Sequence, residues 1–167
     1  MRAFTQLFLE LERRSRTTEK VAAMRDYFLE ARPKDAAWAV YFLSGRKLKR
    51  VTTAQLLRAH AARVSGYRDW LVDASHDAVG DMTETIALML PPAKRQTDRP
   101  LAEWITQRFI PLRQLDAEGQ FHAIAAAWAE LGSSERLVWN KLLTGTFRVG
   151  VARQLVSRAL AEVVGVR

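Results

Sequence analysis

Cysteine is absent from the 167 residues, which excludes disulfides and thiolate metal sites and fits a reducing compartment. No apolar run approaches the roughly 20 residues that a membrane span needs. The opening Met1-Arg2-Ala3-Phe4-Thr5-Gln6-Leu7-Phe8 becomes charged by Glu10, too early for a signal peptide's apolar stretch. A cytoplasmic setting is therefore expected. Catalytic chemistry is equally scarce. His60, His76 and His122 lie on different helical patterns without paired ligand spacing, and read as surface or boundary residues. No Gly-rich phosphate loop with its lysine is present, and no serine-nucleophile motif. No catalytic residue and no metal site is expected.

Apolar residues make up 49%, enough to bury a core, and the length suits one domain over 1–167. The charge is lopsided: +8 overall, with a pI near 10.4. From Ala36 to Arg68 there is no acid, while Arg46, Lys47, Lys49, Arg50, Arg58, Arg63 and Arg68 contribute seven cations. Asp69, Asp73, Asp77, Asp81 and Glu84 then reverse the sign. The four aspartates recur every four residues, as on one solvated helix face. Between Arg136 and Arg167 six cations face Glu162 alone. Two basic regions flanking an acidic one suggest a surface directed at a polyanion.

The apolar spacing is helical throughout, without strand-like alternation, and predicts about ten helices in an all-α fold. Phe4, Leu7, Phe8 and Leu11 open the first. Thr17 or Thr18 is the expected cap of the second, which carries Val21, Met24, Tyr27 and Phe28. Lys34 to Leu43 form a third with Trp38, Tyr41 and Phe42 as core, and Thr52 or Thr53 caps a fourth that ends at Gly66. A fifth spans Tyr67 to Ala78 with Trp70 and Leu71 inward. A sixth starts at Gly80-Asp81 and stops at Pro91-Pro92. The polar loop from Pro91 to Pro100 holds Lys94, Arg95 and Arg99. Leu101 to Ile110 form the next helix, broken near Pro111, and Asp116 to Leu131 the one after. Ser133 or Ser134 caps Glu135 to Leu143, and the last helix runs from about Val151 to Val164. All five tryptophans fall in apolar stripes and read as core, and no helix has an apolar face to spare for a membrane surface.

An internal repeat stands out at an offset of 100 residues, over about 17–65 and 117–165. Leu43/Leu143, Gly45/Gly145, Val51/Val151, Arg58/Arg158, Ala59/Ala159 and Ala61/Ala161 are identical. That makes six identities within positions 43 to 61, where composition alone gives about one or two. Val21/Phe121, Met24/Ile124 and Phe28/Trp128 are matched in apolarity. Helical periodicity explains the apolar matches, but not a glycine and an arginine in the same register. Two halves related by a pseudo-twofold axis would present two basic turns to the two strands of a duplex, which are themselves related by twofolds.

Thr144, Gly145, Thr146, Arg148, Gly150 and Arg153 combine short polar side chains, glycine and cations at a helix start, the residue types that bind phosphate. Ser44, Gly45, Arg46 and Lys47 do the same in the first half. No recognition helix rich in Asn, Gln and Arg is evident, so backbone contact without base readout is expected. An ordinary helix-to-helix turn, and a helical scaffold whose basic turns bind an acidic protein, are the other readings of these residues.

Thr144-Gly145-Thr146-Phe147-Arg148-Val149-Gly150-Val151, followed by Leu155-Val156 and Arg158-Ala159-Leu160-Ala161, resembles the end of the N-terminal DNA-binding domain of bacterial-type ATP-dependent DNA ligases. Thr17-Thr18-Glu19-Lys20, Tyr41 to Arg46, and Gly80-Asp81 through Thr85-Ile86-Ala87 agree in order and spacing. The resemblance implies an all-helical domain of two pseudo-symmetric halves that grips the minor-groove face of nicked duplex DNA. It implies DNA contacts at Gly145, Thr146, Arg148, Gly150, Val151, Ala152 and Arg153, with Thr144 beside them and Ser44 to Lys47 as counterpart. Thr17, Thr18, Lys20, Gly80, Thr83, Lys94 and Arg95 form an outer set. Thr146 stands where some relatives carry a base, which weakens that contact. The family's nucleotidyl-transfer lysine lies in Lys-x-Asp-Gly, which none of Lys20, Lys34, Lys47, Lys49, Lys94 and Lys141 begins. The resemblance therefore implies that ATP, magnesium, and the nucleotidyltransferase and OB domains belong to the parent ligase outside these residues. It also implies a nucleoid-associated place in DNA repair, replication and recombination.

Overall fold

Phe4, Leu7, Phe8 and Leu11 are all buried, on one face of α1 (Arg2–Arg13), as their spacing dictates. The computed structural model describes residues 1–165, and the fold is all-α, with no strand among the described residues. α2 (Thr17–Glu30) buries Val21, Met24 and Phe28. Its cap is Arg16 rather than Thr17 or Thr18, which fall in its first turn, and no side chain closes that end. α3 (Pro33–Leu43) starts on a proline, whose missing N–H costs nothing at a first helical position. It buries Phe42 and leaves Trp38 and Tyr41 half-buried. α4 (Ala54–Ser65) is closed by the Thr53 hydroxyl, which accepts from Leu56 N–H at 3.2 Å.

α5 (Asp69–Val79) buries Val72 alone. Trp70 is 65% exposed, against the expectation that it faces inward, because the helix turns Val72 inward with half-buried Leu71, Ser75 and His76 beside it. α6 (Met82–Met89) is capped by Asp81, whose carboxylate accepts from Thr83 N–H at 2.8 Å and Glu84 N–H at 3.1 Å. The next helix does not break at Pro111. α7 (Leu101–Glu103) widens into a π-helical stretch, Trp104–Phe109, and returns to α-helix in α8 (Ile110–Leu112), with Pro111 in a first turn where its N–H is not needed. α9 (Ala117–Glu130) is capped by Asp116. α10 (Ser133–Thr144) takes Gly132 as its cap instead of a serine, and Glu135 reaches back to accept from Gly132 N–H at 3.0 Å. α11 (Arg153–Val163) begins two residues later than its apolar pattern suggests. His60 is buried, with its ring 5.2 Å from Phe121.

The chain forms two compact units. The first holds Met1–Lys47, Arg99–Trp104 and Phe147–Arg167, and in it α2 packs on both α1 and α11. The second holds Leu48–Asp98 and Ile105–Thr146, and in it α6 packs on α4, α5 and α10, while α4 also meets α9. Its core is polar at one point: buried Asn140 accepts from Trp128 Nε1 at 2.9 Å and donates to the Thr83 carbonyl at 3.1 Å.

These units cut across the repeat. α2 and α9 start 100 residues apart and both have 14 residues, and α3 and α10 likewise start 100 apart. Each unit contains the first two of these helices from one half and the third from the other: α2, α3 and α11 in one, α9, α10 and α4 in the other. Exchange of the third helix lets each unit cover its apolar face with a segment distant in sequence.

Candidate functional site

In the first unit α3 ends by closing its last carbonyls on the following turn. Gly45 N–H donates to the Phe42 carbonyl at 3.0 Å and Arg46 N–H to the Tyr41 carbonyl at 3.2 Å. The closure needs a left-handed residue, and Gly45 has φ +82. The Tyr41 hydroxyl then donates to the Lys47 carbonyl at 3.1 Å, and the Arg46 guanidinium lies 5.9 Å from the Tyr41 ring centre. Ser44 is half-buried, while Gly45, Arg46 and Lys47 are exposed.

The second stretch enters this unit at Phe147, which is buried with its ring centre 5.2 Å from Phe8, 5.7 Å from Phe4 and 5.9 Å from Phe42. One buried ring between exposed Thr146 and exposed Arg148 fixes the backbone and turns the arginine outward. Beyond it Val151 N–H donates to the Val149 carbonyl at 2.7 Å, a three-residue turn centred on Gly150. Lys20, from the first turn of α2, donates to the Gly150 carbonyl at 2.7 Å and pins that turn from 130 residues away. α11 then starts on Ala152, which offers no side-chain acceptor, so its first N–H groups are left for an outside anion. Tyr41, Ser44 and Arg46 line one side of a groove of about 370 Å³ whose other side is Arg153 and Ser157.

In the second unit the same closure recurs in the same register. Gly145 N–H donates to the Leu142 carbonyl at 3.2 Å and Thr146 N–H to the Lys141 carbonyl at 2.9 Å, with φ +71 at Gly145. Here Thr144 is buried, its hydroxyl donating to the Asn140 carbonyl at 2.9 Å and lying 2.9 Å from the Thr146 hydroxyl. The partner segment is again from the other half: Val51 and Thr52 N–H donate to the Leu143 carbonyl, and Arg50 Cβ borders Gly145.

The structure therefore assembles Ser44 to Lys47 with Arg148 to Arg153, Lys20, Thr17 and Thr18 in the first unit. It places Thr144 to Thr146, Gly80, Thr83, Lys94 and Arg95 in the second. Thr83 is buried, with its hydroxyl 2.5 Å from Asp81. Lys94 and Arg95 are exposed on a loop tied to α9 by Arg95 N–H donating to the Ala129 carbonyl at 3.2 Å. Phe147 as anchor and Lys20 as a clamp on Gly150 were missed in the sequence. Only the isolated apolar residue inside a polar stretch marked the former, and nothing local marked the latter.

Folding also redistributes the charge. Arg58 is paired with Asp73 at 2.7 Å, Arg63 with Glu118 at 2.6 Å, Lys141 with Asp81 at 2.7 Å and Arg158 with Glu162 at 3.3 Å. Arg136 is buried, donating to the Trp128 carbonyl at 2.6 Å. Arg46, Arg148 and Arg153 are exposed and have no carboxylate partner among the described residues. Pairing and burial thus remove Arg58, Arg63, Arg136, Lys141 and Arg158 from the linear basic clusters, while Arg46, Arg148 and Arg153 stay outward at the turns.

Asp81 shows how firmly the second turn is backed. Burial pushes its carboxyl up, but hydrogen bonds from Lys141, Thr83 and the Glu84 N–H outweigh that and bring it down to about 2 from the ordinary 3.8. A depressed carboxylate contributes stability above its unfolded pKa and loses it as the pH falls through the folded one. Melting temperature should therefore decline between pH 4 and pH 2. The contribution is small for a half-exposed pair, about 1 kcal/mol or 2–4 °C. Lys141→Met should reduce that decline, as followed by circular dichroism, leaving the part held by the Thr83 and Glu84 hydrogen bonds.

The family described as DNA ligase N terminus matches residues 1–161. The chain belongs to this family. No curated protein matches it. The all-helical architecture is consistent with the N-terminal domain of ATP-dependent DNA ligases, and the family match supports a ligase-related role. No lysine begins Lys-x-Asp-Gly, and no group of three or more His, Asp or Glu side chains is placed to hold a metal ion among the described residues. Nor is any helix of the described residues long and apolar enough to cross a membrane.

Proposed function

We propose that this ligase N-terminal domain binds nicked duplex DNA without reading its sequence, and so positions the nick for a catalytic core elsewhere in a ligase. The observation that carries this reading is the convergence of Arg46 and Arg153 on one groove at an uncapped helix start, with exposed Arg148 on the segment leading into that helix and no carboxylate paired with any of the three among the described residues. Cations and free N–H groups recognise phosphate oxygens. The sequence offers no recognition helix rich in Asn, Gln and Arg, so this reading has the cations meet the backbone rather than base edges. The two glycine closures are a duplicated device for bringing backbone close to the DNA backbone, on the minor-groove face. Ser44 to Lys47 and Arg148 to Arg153 carry the contacts, with Gly145 and Thr146 in the second unit. Thr17, Thr18, Gly80, Lys94 and Arg95 lie further out. Lys20 acts through Gly150.

In this reading the nucleotidyltransferase and OB modules of the parent ligase supply the joining chemistry with ATP and magnesium, in the cytoplasm, during repair, replication or recombination. Arg148→Ala removes one phosphate contact. At about 0.15 M salt, affinity should fall about fivefold, equally on duplexes of unrelated sequence. Fluorescence anisotropy on two nicked duplexes decides it. Loss confined to one sequence would contradict the reading. Absence of DNA binding would favour an acidic protein as partner.

A further inference from the structure

α5 is the least buried long helix of the second unit: of its 11 residues only Val72 is buried. Trp70 is 65% exposed, and neither a ring contact nor a hydrogen bond involves its side chain among the described residues. Ala74 and Ala78 follow it at successive four-residue steps and are exposed too. Trp70, Ala74 and Ala78 therefore form one apolar ridge, a large side chain followed by two small ones. A helix normally covers such a stripe against another element, and tryptophan is seldom left this open without an occupant.

The charge beside the ridge says what the occupant is. Asp73 and Asp77 flank it at the three- and seven-residue steps from Trp70, and Asp69 precedes it. Arg58 partly neutralises Asp69 and Asp73, at 3.7 and 2.7 Å, while Asp77 is exposed with no cationic partner among the described residues. This face repels phosphate, which excludes both DNA stacking on Trp70 and an anionic lipid surface. It also has the opposite sign to the basic turns.

We infer that the Trp70–Ala74–Ala78 ridge of α5, with Asp73 and Asp77, is a docking surface for a basic amphipathic segment of a protein partner. An apolar side chain of that segment packs against the Trp70 indole over the alanines, and its Lys or Arg side chains reach the two carboxylates. Such a contact is small and exchangeable, with tryptophan as its anchor.

The probe is an 18-residue helical peptide of lysine, leucine and alanine, with a twin in which glutamate replaces every lysine. Calorimetric titration of the 167-residue chain should show 1:1 binding of the lysine peptide and none of the glutamate twin. Trp70→Ala and Asp77→Lys should each weaken binding at least tenfold. Both side chains are exposed, so circular dichroism melting should stay unchanged, and the uncharged change Trp70→Ala should leave affinity for nicked DNA unchanged. No binding of the lysine peptide, equal binding of the twin, or undiminished binding by both variants would overturn the proposal. So would sedimentation showing a dimer that Trp70→Ala dissolves, since the occupant would then be a second copy of this chain.

Discussion

Replacing Arg46, Arg148 and Arg153 together by alanine should lower affinity for nicked duplex DNA about a hundredfold at 0.15 M salt, without destabilising the fold. Each phosphate neutralised contributes about 0.9 to the slope of log affinity against log salt, so three lost contacts reduce the slope by about 2.7. Extrapolated from 1 M, where counterion release vanishes, that slope corresponds to a little over two decades at 0.15 M. Stability is spared because the three side chains are exposed and none is held by a carboxylate among the described residues. Anisotropy titrations measure the affinity, and melting followed by circular dichroism measures the fold. A triple variant that binds as the parent does would remove these turns from the interface, whatever else on the domain binds DNA.

Phe147→Ala should be the most damaging single change near the site, costing about 3–5 kcal/mol. The ring is buried and touches three others, Phe4, Phe8 and Phe42, so its removal leaves a cavity and forfeits aromatic contacts. Against a total stability of about 5–15 kcal/mol, this is a drop of roughly 10 °C in melting temperature. Phe147→Leu keeps most of the volume and should cost about 1–2 kcal/mol. The functional consequence separates the two roles of the stretch. Well below its melting point Phe147→Ala should still bind DNA less tightly, because Arg148 and the Lys20–Gly150 clamp lose the anchor that orients them. Unchanged affinity in a folded Phe147→Ala protein would show that the arginine needs no such anchor.

Helices were legible because their apolar spacing is strong and their stops are explicit. Gly45, Gly66, Gly80 and Gly145 all take the left-handed conformation that ends a helix. Asp81, Asp116 and Thr53 cap through their side chains. Thr17, Ser133 and Ser134 did not, since helix formation continued through them to Arg16 and Gly132. Pro111 failed as a breaker because the π-helical turn shifts the hydrogen-bond register before it. The turn glycines were visible through the repeat, but local sequence holds no record of the exchange that puts α11 with α2 and α4 with α9. Nor does it say which cations are neutralised, since Arg63 and Glu118 are 55 residues apart. The inward placing of Trp70 went wrong for a related reason. Apolarity shows that a face wants cover, and the cover need not come from the same chain.

The most direct test is the salt dependence of binding to nicked duplexes of two unrelated sequences, measured between 50 and 200 mM. Contacts by Arg46, Arg148 and Arg153 alone require a slope of about −2.7, a weakening of about fortyfold across that range, identical for both sequences. A slope shallower than −1, or one that differs between the sequences, would contradict backbone gripping by these turns.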